Sequence, residues 1–140
     1  APVYLAWSGR NRSPLIRIPA KRGLSTRVEL RNPDPSCNPY LGIACSLMAG
    51  LDGISNKIEP PAPCDRNIYE MSASDRRDLG IASLPASLME SYAELSSDEV
   101  LRSTLGGHIF EKLIEAKEIE WDSYRMSVHQ WEIDEYLTKF

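Results

Sequence analysis

Between Asn38 and Gly53 the chain writes a helix with almost no polar side. Asn38 suits an N-cap and Pro39 the first helical position, where the missing N–H is no loss and the fixed φ fits the turn. Tyr40, Leu41, Ile43, Ala44, Leu47, Met48 and Leu51 then cover nearly the whole circumference. A helix apolar all round belongs in an interior. The sequence therefore predicts a buried helix over 38–54, ended by Gly50 and Gly53, with cover on more than one side.

The residues before it read as β-structure. Val3-Tyr4-Leu5-Ala6-Trp7 is a β-prone run followed by the polar turn Ser8-Gly9-Arg10-Asn11. Leu15-Ile16-Arg17-Ile18 is a second strand, closed by Pro19. The third, Arg27-Val28-Glu29-Leu30-Arg31, alternates strictly, so Arg27, Glu29 and Arg31 share one face and Val28 and Leu30 the other. Glu59-Pro60-Pro61-Ala62-Pro63 is an extended connector, and Asp65 to Gly80 is polar, irregular or short helix. Beyond it Pro85 opens a helix with Leu88, Tyr92 and Leu95 on one stripe. Ser96-Ser97-Asp98-Glu99 caps the next helix, which stops at Gly106-Gly107. A longer helix follows with Phe110, Leu113, Ile114, Trp121 and Tyr124 inward, and Ser127-Val128-His129-Gln130 caps a last short one bearing Trp131, Ile133, Tyr136 and Leu137. The class is α+β: about three N-terminal strands, then mostly helices. Its parts are active-site strands over 1–35, the buried helix over 38–54, a connector over 55–84 and a helical region over 85–140.

Charge is distributed unevenly. The whole chain carries a net charge of -4, which argues against nucleic-acid binding through a global basic field. Yet residues 1–31 hold Arg10, Arg12, Arg17, Lys21, Arg22, Arg27 and Arg31 against the single acid Glu29. Guanidinium forks grip phosphate and carboxylate oxygens bidentately, and one carboxylate among them suits a divalent ion bridging phosphates. Arg12, Arg17, Arg27 and Arg31, set on neighbouring strands around Glu29, would form an anion trap. A solvated strand face with local ion pairs explains the same residues, and charge runs are more often that.

Other signatures are absent: there is no GxxxxGK[ST], GxGxxG, HExxH or GxSxG. His108 and His129 lie at helix starts, where hydrogen bonding explains them. Cys37, Cys45 and Cys64 make no CxxC and no zinc spacing, which suggests reduced thiols and a cytoplasmic protein. The longest apolar run falls short of the ~20 residues of a membrane span. A first residue of Ala1, already within a strand-like run, suggests a truncated or processed piece.

Asn11-Arg12-Ser13 with Ile16-Arg17-Ile18-Pro19, Arg27-Val28-Glu29-Leu30-Arg31 with Asp34-Pro35, Asn38-Pro39-Tyr40-Leu41 and Ala49-Gly50-Leu51-Asp52-Gly53-Ile54 closely resemble the C-terminal part of the catalytic domain of bacterial type I glutamine synthetase. Asp65-Arg66-Asn67-Ile68-Tyr69, Ser83-Leu84-Pro85, His129-Gln130-Trp131-Glu132 and Tyr136-Leu137-Thr138 extend the likeness over the whole chain. The resemblance implies a glutamine synthetase/guanidino kinase-type fold and an ATP-dependent ligase that makes glutamine from glutamate and ammonia through γ-glutamyl phosphate. By it Glu29 is a ligand of a catalytic Mg²⁺ or Mn²⁺, and Arg31 holds the glutamate carboxylate. Arg12 and Arg17 contact ATP phosphates, Arg12 also reaching the glutamate as the catalytic arginine, and Arg27 lies at the nucleotide. It further implies a dodecamer of two hexameric rings, with the terminal helix, 128–138, in the inter-ring contact.

The departures bear on activity. The family's loop glutamate that precedes Ala-Pro-Val, its other metal-binding carboxylates and its N-terminal domain have no counterpart in these residues, so the chain alone is expected to be inactive. Tyr69 aligns with a tyrosine that some relatives adenylylate, but its flanks resemble the Gram-positive-type branch, in which it is unmodified. A γ-glutamyl ligase that takes an amine instead of ammonia, or a non-catalytic interaction module built on the terminal helix, are the alternatives.

Overall fold

The computed structural model describes residues 2–139. They divide into two compact units, one up to Pro85 and one from Ala86 onward.

The first unit contains a three-stranded sheet in the order β1 (Tyr4–Ser8), β2 (Pro14–Arg17), β3 (Glu29–Leu30). β1 and β2 run parallel, with Trp7 beside Ile16 and Ser8 beside Arg17, while β3 returns antiparallel with Leu30 opposite Ile16 and Glu29 opposite Arg17. The third strand is shorter than the alternation predicts. Arg27 and Val28 precede it and Arg31 follows it, although the Arg31 amide still donates to the Leu15 carbonyl at 3.0 Å. On its other edge β1 is bonded to the segment 82–84, through Leu5 N to Ala82 O and Leu84 N to Val3 O, both 2.8 Å.

The connector does more than its polarity predicts. Ile68 begins a 3-10 turn (Ile68–Glu70) and Met71 follows three residues later, a spacing that stacks both on one side. With Cys64 they form the buried cluster of this unit, Ile68 fully covered, packed by Tyr4, Ala6 and Ile81. The short helix α2 (Ala73–Asp78) follows behind a reciprocal Ser72–Asp75 cap.

Helix α1 (Pro39–Ser55) starts where expected: Asn38 accepts from Tyr40 N at 3.0 Å and from Leu41 N at 3.4 Å. It runs through both glycines to Ser55, and no residue of it is buried. Burial over 38–54 was the expectation from its apolar circumference. The reason for the difference is supply: within the unit, the apolar face of β2 and β3 lies alongside it across a groove, and Tyr40, Ile43 and Ile54 remain 85%, 68% and 75% exposed.

The second unit is helical. α3 (Leu88–Ser97) begins at Ser87, which accepts from Glu90 N at 3.2 Å, rather than at Pro85, because the hydroxyl caps and the proline does not. α4 (Glu99–Arg125) is capped by Asp98, on Leu101 N at 2.9 Å; Ser96 and Ser97 belong to the end of α3. Gly106, at φ 72 and ψ 156, breaks it where the glycine pair predicts. Leu105 and Phe110 are its buried residues, and the Arg102 guanidinium lies 4.3 Å from the Phe110 ring centroid. α5 (Gln130–Tyr136) is preceded by His129, whose amide bonds the Glu132 carboxylate at 2.8 Å; Ser127 closes α4 instead. Trp131, Tyr136 and Leu137 are exposed.

Candidate anion-binding site

The cross-strand pairing of β2 with β3 sets the chemistry. Residues directly opposite each other in an antiparallel pair share a face, so Arg17 and Glu29 meet while Ile16 and Leu30 turn to the other side. Arg17 Nη1 donates to Glu29 Oε2 at 3.0 Å. Arg27, two residues upstream, donates to Glu29 Oε1 from Nε at 2.9 Å and from Nη2 at 2.6 Å. One carboxylate is thus held by two guanidinium groups, both of its oxygens engaged. Hydrogen bonds from Arg27, then from Arg17, hold the Glu29 carboxyl below the ordinary glutamate range against a smaller opposing effect of desolvation.

Arg17 Nε is buried and has no hydrogen-bond partner among the described residues. A buried guanidinium donor without an acceptor is costly unless an acceptor arrives. An anion oxygen is the natural complement.

The other two arginines are arranged differently. Arg31 does not join Glu29: its Nη1 donates to the Arg12 carbonyl and, at 3.3 Å, to the Pro14 carbonyl. Arg12 is not on a strand; it lies in the loop joining β1 to β2, and its exposed side chain makes no hydrogen bond or ion pair among the described residues. The structure therefore gathers Arg17, Arg27 and Glu29 into one cluster and joins Arg31 to the backbone of Arg12. Sequence alternation alone placed all four arginines around the carboxylate because it carries no information on loop paths.

Residues missed by that reading hold the Arg12 loop. Ser8 Oγ donates to Asp65 Oδ1 at 2.6 Å and accepts from the amides of Arg10 at 3.0 Å and Asn11 at 2.9 Å. Ser13 Oγ accepts from Ile68 N at 3.0 Å. Ser and Asn in a turn bond their own backbone, so that half was foreseeable; the bonds to residues 65–68 cross more than fifty positions and leave no local trace.

A divalent ion is a separate question. No group of three His, Cys, Asp or Glu side chains converges to hold a metal among the described residues. With both Glu29 oxygens taken by arginine, these residues do not make a cation site by themselves.

On the far side of the same strands Ile16, Val28 and Leu30 face α1 across an apolar groove of about 780 Å³, with Ile43 and Leu47 on the helix. Tyr69 is exposed, its ring 5.7 Å from that of Tyr4. No helix of the described residues is long and apolar enough to cross a membrane.

A short sheet that gathers two arginines around one carboxylate, followed in the chain by helices, defines an α+β module with a candidate anion-binding face. Residues 1–136 match the family model described as glutamine synthetase, catalytic domain. The chain is 52% identical over its full length to a glutamine synthetase of Thermus thermophilus and 50% identical to one of Staphylococcus aureus, spanning 31% of each. It also superimposes on a solved GmaS/ADP complex with a TM-score of 0.85 at 33% identity, over 99% of this chain and 30% of that one. The chain belongs to the glutamine synthetase catalytic-domain family, and it spans less than a third of the length of these relatives.

Proposed function

We propose that these residues form one wall of the active site of an ATP-dependent ligase that joins ammonia to glutamate. In that reaction an oxygen of the glutamate side-chain carboxylate attacks the γ-phosphorus of ATP, and ADP leaves. Ammonia then attacks the acyl carbon of γ-glutamyl phosphate, loses a proton and expels phosphate, giving glutamine. Both steps crowd negative charge onto phosphoryl oxygens. Fixed guanidinium groups stabilise that charge with little reorganisation as it develops.

The buried, unpartnered Arg17 Nε beside the Arg27–Glu29 pair carries this reading, because it is a positive donor kept dry and lacking an acceptor. Arg17 and Arg27 take the phosphates of ATP. Arg12 takes phosphate and the glutamate, and Arg31 the glutamate carboxylate. For Arg31 this requires its guanidinium to exchange a carbonyl acceptor for a carboxylate, a stronger, charge-assisted bond. Glu29 would be one ligand of a divalent ion, Mg²⁺ or Mn²⁺, once Arg17 or Arg27 turns from its carboxylate to phosphate, with the remaining donors supplied from outside these residues. That ion, when bound, would neutralise phosphate charge. Ammonia as acceptor follows the relatives named as glutamine synthetases. A cytoplasmic setting agrees with the absence of a spanning helix among the described residues, and the exposed apolar face of α5 is suited to the inter-ring contact of a dodecamer.

The test is an end-product assay on the complete protein with glutamate, ATP, ammonia and Mg²⁺. Glutamine, ADP and phosphate are expected in equal amounts, and none from the isolated 140 residues. Product formed only when an alkylamine replaces ammonia, or glutamine made by the isolated chain, would overturn the proposal.

A further inference from the structure

We propose that Ser8, Asn11 and Asp65 are positioning residues that set the backbone of Arg12 so that its guanidinium meets the substrate anions. The proposal rests on the assignment of Arg12 to ATP and glutamate made above.

A loop joining two strands is ordinarily among the more mobile parts of a domain. This one is bonded at almost every residue. Ser8 Oγ, fully buried, accepts from the amides of Arg10 and Asn11 at 3.0 and 2.9 Å and donates a hydrogen bond to Asp65 Oδ1 at 2.6 Å. Asn11 Oδ1 accepts from the amides of Arg12 at 2.6 Å and Ser13 at 3.0 Å, and Asn11 Nδ2 donates to the Arg66 carbonyl. Ser13, 2% exposed, closes the far end on the Ile68 amide at 3.0 Å. The Arg12 carbonyl receives Arg31 Nη1. Both peptide groups of Arg12 are therefore held, one through Asn11 and one through Arg31. Its side chain is exposed and bonded to nothing among the described residues. A fixed backbone under a free cationic head is the arrangement that a ligand-contacting residue needs and that a merely structural arginine does not.

The anchor is the connector, residues 65–68, and not the sheet. Within 65–68 Asp65 reaches the loop with its side chain: with its carboxylate as acceptor, the Ser8 hydroxyl is oriented to keep its lone pairs toward the loop amides. Asp65→Asn retains an oxygen acceptor there, whereas Asp65→Ala leaves the hydroxyl free to turn and compete for the amides' geometry. Loss of this alignment acts on glutamate turnover through Arg12 and through no contact of Asp65 with substrate.

The experiment uses the complete protein and measures kcat and KM for glutamate in Asp65→Ala, Asp65→Asn, Asn11→Ala and Arg12→Ala, and in the double variant of Asp65→Ala with Arg12→Ala. Misplacement of a substrate-aligning group by about 1 Å costs on the order of a hundredfold. Asp65→Ala and Asn11→Ala are expected to lower kcat/KM for glutamate by about tenfold to a hundredfold, with Asp65→Asn recovering most of the loss. In the Arg12→Ala background the Asp65→Ala change is expected to add nothing. Unchanged kcat/KM in Asp65→Ala and Asn11→Ala beside an impaired Arg12→Ala would overturn the positioning role alone. So would an Asp65→Ala loss that persists in full without Arg12. An Arg12→Ala variant with the parent's kinetics would overturn the assignment of Arg12 itself, and this proposal with it. Should Asp65→Ala not fold, Asn11→Ala, on the loop surface, gives the same readout.

Discussion

Glu29 is the residue on which the site's electrostatics turn. Its carboxylate receives three guanidinium hydrogen bonds, and these favour the charged form more than partial desolvation opposes it. A carboxyl whose folded-state pKa is depressed contributes stability that is complete above its unfolded value and fades as pH falls through the lower folded value. Followed by the NMR shift of its side-chain carbon, Glu29 is expected to titrate below an ordinary glutamate. Arg27→Ala is expected to raise that midpoint more than Arg17→Ala, since the Arg27 bonds are the larger cause. A midpoint at or above the ordinary value would show that the clamp does not form. This pair was the most legible part of the site: alternation put Arg27 and Glu29 on one face, and strand pairing brought Arg17 to it. Arg31 was not legible, because its turn toward the carbonyls of Arg12 and Pro14 depends on a loop path that no periodicity encodes.

At the scale of elements, caps and breakers were legible where a single residue decides the outcome. Asn38 with Pro39 fixes the start of α1, and Gly106 fixes the break in α4. Its φ of 72 with ψ of 156 lies in a region that residues with a Cβ hardly enter. Gly106→Ala is expected to destabilise the helical unit by about 1–3 kcal/mol. Asn38→Ala, which removes the acceptor for two helix amides, is expected to cost about 1 kcal/mol. Denaturant midpoints of the two variants check both figures, and an unchanged midpoint for Gly106→Ala would mean that the helix runs straight through. Where serines and acids lie close together, the capping boxes expected from Ser96 and Ser127 fall two residues before the observed caps, Asp98 and His129. At 96–99 the side chain nearest a free amide proved to be Asp98, and at 127–130 it was Glu132 reaching back to His129. The polar connector forms the short helices expected of 65–80, but its part in the core was not legible, because two apolar residues, Ile68 and Met71, suffice when a 3-10 turn stacks them.

For the molecule as a whole, apolar surface is the informative feature. α1 reads as interior and is exposed, and α5 presents Trp131, Tyr136 and Leu137 outward. Both are surfaces of the kind that another part of a protein or another copy covers. The relatives are more than three times as long, so kinetic tests belong to the complete protein. The arginines of β2, β3 and their flanking loops are expected to divide two substrates between them. The measurement is of KM for glutamate and for ATP in the complete protein carrying Arg31→Ala or Arg27→Ala. Arg31→Ala is predicted to raise KM for glutamate by about tenfold or more, the worth of a charge-assisted bond, with KM for ATP little changed, and Arg27→Ala to do the reverse. Parent values of both constants in both variants would contradict the account.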